Sequence, residues 1–217
     1  MKLSVAGVGL SYDSQPVLEN VSFELEAQGK ALLLGPSGSG KSSLINVITG
    51  LQTPNAGEVT LGEQRVSGAD GSSGGDDVRR RSMGIIFQTL RLVSALSVRA
   101  NLLLAQKLQT GAQDTRLVDA TLEQLGIADR AEARPFELSQ GEAQRAAIAR
   151  ALVVKPALIV ADEPTSALDA ANTERVAKLL LGAAEQAGAS LLVATHDDRL
   201  KPYFERSMVL SEGSLSA

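Results

Sequence analysis

Three glycines fall within six positions, at Gly35, Gly38 and Gly40, and Lys41 and Ser42 follow at once. The stretch Gly35-Pro36-Ser37-Gly38-Ser39-Gly40-Lys41-Ser42-Ser43 fits the pattern G-x-x-x-x-G-K-[ST]. An apolar run, Ala31 to Leu34, precedes it, and an apolar pattern at helical spacing (Leu44, Ile45, Val47, Ile48, Leu51) follows. Strand, loop and helix in that order make an anion cradle. Glycines let successive backbone N–H groups turn toward one anion. The helix that starts near Gly40 adds its N-terminal donors and its positive dipole end. Lys41 can then reach the outer phosphates of a polyphosphate, and the Ser42 hydroxyl is placed to ligand Mg²⁺.

Further chemistry-bearing residues end apolar runs. Ala157 to Ala161 reads as a strand buried on both faces, and it ends in Asp162-Glu163-Pro164. Two adjacent acids at the carboxyl end of such a strand are costly unless they bind something. Leu191 to Thr195 is a second such strand and ends in His196, the only histidine. A lone histidine is more often structural, but this one shares a sheet edge with the acids and the loop, which favours a functional role. Ser139 opens a helix running to about Val154, and Glu142, three residues on, completes a capping box. Taken alone, that pattern is an ordinary helix start. Tyr12 ends the first strand, either as an edge-strand side chain or as a flat face for a base.

The elements that must position these residues alternate. Residues 3–12 and 17–26 read as strands joined by a turn around Asp13 to Pro16, and Glu58 to Leu61 as a short strand. Residues 67–77, SGADGSSGGDD, read as a mobile surface loop, and Arg79-Arg80-Arg81 as a solvated charge run. Met83 to Phe87 is a short buried strand ending at Gln88. Residues 97–109, 113–125 and 171–187 read as helices, and Arg206 to Leu210 with the Glu212-Gly213 turn finishes the sheet. The expected class is α/β: a P-loop NTPase core with a parallel sheet, an N-terminal antiparallel β subdomain and an inserted helical subdomain. The chain is read as one domain over 1–217, with 1–88 and 156–217 as the core and about 89–155 as the helical part.

The bulk numbers agree with that class. The 217 residues are 44% hydrophobic and 21% charged, enough to build a real core. A net charge of −4 argues against nucleic acid as the main partner. With no cysteine, neither disulfides nor a cysteine-based metal site is possible. The first residues lack the apolar core of a signal peptide, and no apolar run approaches the ~18 residues of a membrane-spanning helix. Any membrane role is expected to go through a partner.

Together these residues resemble the ATP-binding subunits of ABC transporters, over nearly the whole chain and in the family's order. GPSGSGKSS at 35–43 matches the phosphate loop and Gln88 the glutamine after the third core strand. LSQGE at 138–142 matches the family signature, followed by the Ala-Arg-Ala-Leu helix at 149–152. LIVADEP at 158–164 matches the second acidic motif, SALD at 166–169 the dimer-contact loop, His196 the switch histidine and Tyr12 the adenine-stacking aromatic. The signature departs from the commonest LSGGQ, with Gln140 in place of a glycine and Glu142 in place of a glutamine. Short length and the polar insert before MGIIFQ look most similar to the lipoprotein-release and macrolide-exporter group, to which the related cell-division ATPase belongs.

The resemblance implies roles. ATP lies with its adenine on Tyr12 and its phosphates on Gly35, Pro36, Ser37, Gly38, Ser39, Gly40, Lys41, Ser42 and Ser43. Mg²⁺ is held by Ser42 and Gln88, with Asp162 acting through water. Glu163 is the general base and His196 contacts the γ-phosphate, so that Glu163, His196, Lys41 and Gln88 form the catalytic set. Ser139 and Gly141 face the phosphate loop of a second copy, and two ATPs are buried between head-to-tail subunits. An integral membrane permease docks near Gln88 and the helical block, which places the chain peripherally on the cytoplasmic face of the inner or plasma membrane. The alternative reading is an ATPase of a cell-division or mechanotransmission complex that moves no substrate.

Overall fold

The computed structural model describes residues 1–71, 74–165 and 169–216. Two sheets make the frame. The first pairs β1 (Leu3–Tyr12), β2 (Gln15–Leu25), β4 (Ala56–Leu61) and β5 (Gln64–Gly68) in the order β2-β1-β4-β5, antiparallel throughout. The second runs β10-β9-β3-β8-β7-β6, from β3 (Lys30–Leu34), β6 (Met83–Ile86), β7 (Leu158–Asp162), β8 (Ser190–Thr195), β9 (Arg206–Ser211) and β10 (Ser214–Ser216). Only its β9–β10 pair is antiparallel. The α/β class and the antiparallel N-terminal sheet agree with the expectation.

The helices are α1 (Lys41–Ile48), α2 (Gly75–Ser82), α3 (Val98–Thr110), α4 (Thr115–Gln124), α5 (Gln140–Leu152) and α6 (Ala170–Ala187). Alternation along β3 shows how they are used. Leu32 and Leu34 face a core shared with α3, α4, α5 and α6, whereas Ala31 and Leu33 face a core shared with α1 and the antiparallel sheet. All four are at most 3% exposed, so this strand is buried on both faces, which is why it reads as an unbroken apolar run. Hydrophobic burial on both sides fixes the strand order, and the order decides which loops meet.

The register sets the site. Leu34 pairs with Thr195, Asp162 with Ala194, and Ile86 with Ala161. The phosphate loop, Gln88, the Asp162-Glu163 pair and His196 therefore all leave parallel strands at one edge, the carboxyl edge where α/β sheets bind ligands.

Both ends of the 67–77 stretch depart from the expected loop, while Ser72 and Ser73 lie outside the described residues. Ser67 and Gly68 belong to β5, and the Ser67 hydroxyl donates to Val47 O at 2.9 Å. Gly75 begins α2, which packs so closely that a Cβ on Gly75 would lie 2.6 Å from Val66 O. Asp76 and Asp77 sit at the N-terminus of α2 and the three arginines in its last turn, so both groups complement the helix dipole. The arginines are likewise not simply a solvated run. Arg79 donates to Thr49 O (3.1 Å) and Gly50 O (3.2 Å) and so closes the C-terminal end of α1. The sequence reading missed both elements because short glycine-containing and charged segments carry no apolar period of their own.

The segment after Gln88 is held by two side chains. Asn101, 2% exposed, donates through Nδ2 to Ser97 O (3.0 Å) and Val93 O (3.2 Å) and accepts from Val93 N (2.8 Å). Arg150 donates to Leu90 O at 3.0 Å and to Arg91 O. Burial and the like charge of Arg91 hold the Arg150 guanidinium below its usual pKa range.

Candidate active site

The phosphate loop is built as its glycines require. Gly38 and Gly40 have φ of 83° and 99°, in the left-handed region where a side chain is strained. Gly35 is required for a different reason: a Cβ there would lie 2.3 Å from Leu210 O and 2.6 Å from Ser39 Oγ. Gly40 caps α1 without a side-chain hydrogen bond, so the helix keeps N-terminal donors for an anion. The Ser39 hydroxyl is buried and has no hydrogen-bond partner among the described residues, a further donor available to a bound oxyanion.

A cavity of about 310 Å³ lies over this loop, lined by Ser37, Gly38, Gly40, Lys41, Ser42 and Ser43 together with Val17, Gln88, Glu163 and His196. Lys41 and Glu163 are both almost fully buried and stand 3.4 Å apart. Lys41 Nζ also donates to Gly35 O (2.8 Å) and Pro36 O (3.0 Å), so its ammonium is shared between its own loop and the carboxylate. The other Glu163 oxygen accepts from Thr195 Oγ1 at 3.1 Å and pairs with His196 Nδ1 at 2.9 Å. Glu163 reaches this position because its backbone has a φ of 48°, with its N–H on Ala194 O at 2.8 Å. A non-glycine residue in that region costs of order 1–3 kcal/mol and is found where the surrounding structure over-determines it. Thr195 is fully buried and also accepts from Asp197 N at 3.1 Å, which fixes its hydroxyl.

Asp162 lies beside these groups. One of its carboxylate oxygens is buried and has no hydrogen-bond partner among the described residues, and the Ser42 hydroxyl hydrogen-bonds the carboxyl. Burial pushes the Asp162 carboxyl up from its usual range, with Ser42 opposing, Glu163 adding and Lys41 opposing. A buried carboxylate oxygen without a donor, next to a hydroxyl, is a chemical fit for Mg²⁺, which takes oxygen ligands and retains waters.

The predicted residues divide into two groups. Lys41, Ser42, Gln88, Glu163 and His196 meet at one cavity. Tyr12 does not line it; it is 46% exposed at the end of β1, while Val17 on β2 supplies the apolar wall beside the loop. Ser139 and Gly141 do not line it either. They open α5, and Gly141 lines a second, larger cleft of about 680 Å³ that also contains Gln88 and Glu163. Ser139 caps α5 with Glu142 in the expected box. Of the SALD match, Ser166, Ala167 and Leu168 lie outside the described residues, and Asp169 caps α6 by accepting from Asn172 N at 2.8 Å.

Two contributors were not singled out in the sequence. In the sequence Thr195 is the last residue of an apolar strand, and the one local signal for its role is a hydroxyl directly before the lone histidine. Arg130, which donates to Glu142 Oε1 at 2.7 Å, lies twelve residues from its partner, and no local pattern links them.

Known proteins fit this geometry. The ABC transporter family model matches residues 18–166. The lipoprotein-releasing system ATP-binding protein LolD of Hydrogenovibrio crunogenus is 38% identical over 91% of this chain and 86% of its own length. LolD of Pseudomonas fluorescens is 37% identical over 99% of this chain and 97% of its own length. Among solved structures, the dimeric bacterial ABC transporter cassette MJ0796 superimposes with a TM-score of 0.88 at 30% identity, covering 99% of this chain and 97% of that one. The same cassette has been solved as a dimer in a post-hydrolysis state bound to ADP and Pi, with the same score and identity. A phosphate loop, a buried acid pair and a histidine at one sheet edge, in a chain that aligns end to end with such cassettes, lead to one assignment. The chain belongs to the ABC transporter family, as an ATP-binding cassette that hydrolyses ATP.

Proposed function

We propose that the chain drives a separate membrane permease by ATP-dependent head-to-tail dimerisation and is reset by hydrolysis, as the LolD-like relatives suggest for a lipoprotein-release type of complex. The observation that carries the reading is the convergence of Lys41, Glu163 and His196 on the cavity over the phosphate loop. In that reading the 35–43 loop holds the phosphates, Ser42 and Gln88 hold Mg²⁺, and Asp162 orients its water. Mg²⁺ held there would supply neutralisation of the phosphate charge. The incoming γ-phosphate takes over Lys41, which releases the Glu163 carboxylate to accept a proton from the attacking water. His196, with its side chain 54% exposed, turns to donate to a γ-phosphate oxygen.

The same residues divide the work between two copies. Ser139 and Gly141 do not line the cavity over their own phosphate loop, which suits them to a nucleotide held by a partner. Tyr12, exposed at the strand end, is read as the adenine platform. The residues of about 89–155 act as the helical part that carries the signature, with 1–88 and 156–217 as the core. A groove of about 380 Å³ beside Gln88 suits the permease. Phe87, Leu108 and Val154 give it apolar surface, and Arg91 sits 4.1 Å over the Phe87 ring. No helix among the described residues is long and apolar enough to cross a membrane, in keeping with a peripheral subunit on the cytoplasmic face.

The test is Glu163→Gln. Steady-state phosphate release should fall by at least ~100-fold while ATP is still bound and the dimer persists. Turnover at near wild-type rate would remove Glu163 as the base. Recovery of a membrane permease with the tagged chain tests the transport half of the reading, and its absence from detergent-solubilised complexes would remove that half.

A further inference from the structure

We propose that Arg130 is the positioning residue that lets Ser139 release its hydroxyl to the nucleotide of a second copy. The inference rests on the head-to-tail dimer proposed above. Glu142 Oε2 accepts from the Ser139 backbone N–H at 2.7 Å and from the Ser139 hydroxyl at 2.8 Å. A hydroxyl has one proton to donate. That proton is committed to Glu142, so the residue expected to meet the partner's phosphate is engaged by a carboxylate of its own helix.

When Ser139 turns to a phosphate, Glu142 loses a donor and an anion arrives beside it. Like charges brought together at an interface cost affinity unless something neutralises one of them. Arg130 does so. Its Nε donates to Glu142 Oε1 at 2.7 Å, on the oxygen that Ser139 does not use, so the pairing survives the exchange. Asp129 is the competing acid, at 3.8 Å, and is the weaker partner. The Ser139 backbone, the Ser139 hydroxyl and then Arg130 hold the Glu142 carboxyl down to about 2, so it is ionised at any physiological pH. The side chains of Glu142 and Arg130 are 16% and 46% exposed, which leaves the pair on the surface that a second copy would cover. A glutamine at position 142, as in the commonest form of the signature, would carry no charge and need no arginine.

The experiment measures ATP-driven dimerisation by light scattering in the hydrolysis-blocked Glu163→Gln parent. Arg130→Ala should weaken dimerisation roughly tenfold, because a dimer contains two such sites and an exposed pair accounts for about a factor of three at each. Arg130→Lys should restore most of it. Arg130→Ala combined with Glu142→Gln should return to the parent's value, since no unpaired charge remains. ATP binding to the isolated monomer should be the same in all of them. If Arg130 merely ties the 128–130 turn to α5, the thermal midpoint falls and Glu142→Gln restores nothing. A folded Arg130→Ala variant that dimerises as tightly as the parent, or a double variant as weak as Arg130→Ala, overturns the inference. A parent that never dimerises overturns the dimer reading instead, and the inference with it.

Discussion

Glu163 stands 3.4 Å from Lys41, the ammonium that a bound phosphate also needs, so removing its charge should tighten nucleotide binding. The perturbation is Glu163→Gln, which keeps the shape and drops the negative charge. At the observed 3.4 Å, a unit pair attracts by ~5 kcal/mol at an effective dielectric of ~20. Desolvation of two buried ions offsets most of that, leaving a net interaction of about 1–2 kcal/mol. Lys41 keeps the Gly35 and Pro36 carbonyls as acceptors, so it is not stranded. ATP must break the Lys41–Glu163 pair in the wild type and need not in the variant, so affinity should rise by roughly 5–30-fold. The assay is calorimetric or fluorescence titration with ATP in excess EDTA, at protein concentrations where the chain is monomeric. Those conditions separate binding from hydrolysis and from dimer closure. The nucleotide-free variant should also melt earlier, since a native interaction has been removed. Equal or weaker ATP affinity in Glu163→Gln would refute the reasoning, because it would mean the carboxylate does not compete for Lys41.

Gly35→Ala should destabilise the fold by about 1–3 kcal/mol by chemical denaturation and abolish ATP binding, since its methyl would meet the backbone oxygen of Leu210 at 2.3 Å; normal stability would show that β9 yields easily there. Glu142→Gln should flatten the acid side of the stability profile. The folded carboxyl, at about 2, lies below its ordinary value of 4.5. Its stabilisation is therefore present above pH ~4.5 and is lost as pH falls toward ~2. Unfolding curves that keep the same pH slope in wild type and variant over that window would contradict the pairing.

Much was legible because the informative residues are local. Gly35 to Ser43 and the helical pattern after it specify a phosphate loop by backbone freedom and spacing alone. Ala157 to Ala161 and Leu191 to Thr195 read as doubly buried strands, so the polar residues at their ends had to sit at a sheet edge. Ser139 and Glu142 announce a helix start through contacts three residues apart, and that start is where the structure has it. The missed elements lack such local signals. β5 and α2 are held by the Ser67 contact to Val47, the close approach of Gly75 to Val66 and the Arg79 contacts to the end of α1. The partners in these contacts lie well beyond the three or four positions over which caps and helical periodicity act.

The sequence alone determined the chemistry on offer: an anion cradle, a paired acid, one histidine and a capped helix, each dictated by residue type and short-range spacing. Tertiary structure alone decided how those groups engage one another. The parallel register that sets Leu34 opposite Thr195 brings Lys41, Glu163 and His196 within ion-pair and hydrogen-bond distance. The tertiary fold also sets Arg130 on Glu142, the carboxylate that takes the Ser139 hydroxyl, outside the cavity over the phosphate loop. The physical reason is range: propensity and periodicity act over a few residues, whereas the pairing of buried charges depends on which strands the hydrophobic core places side by side.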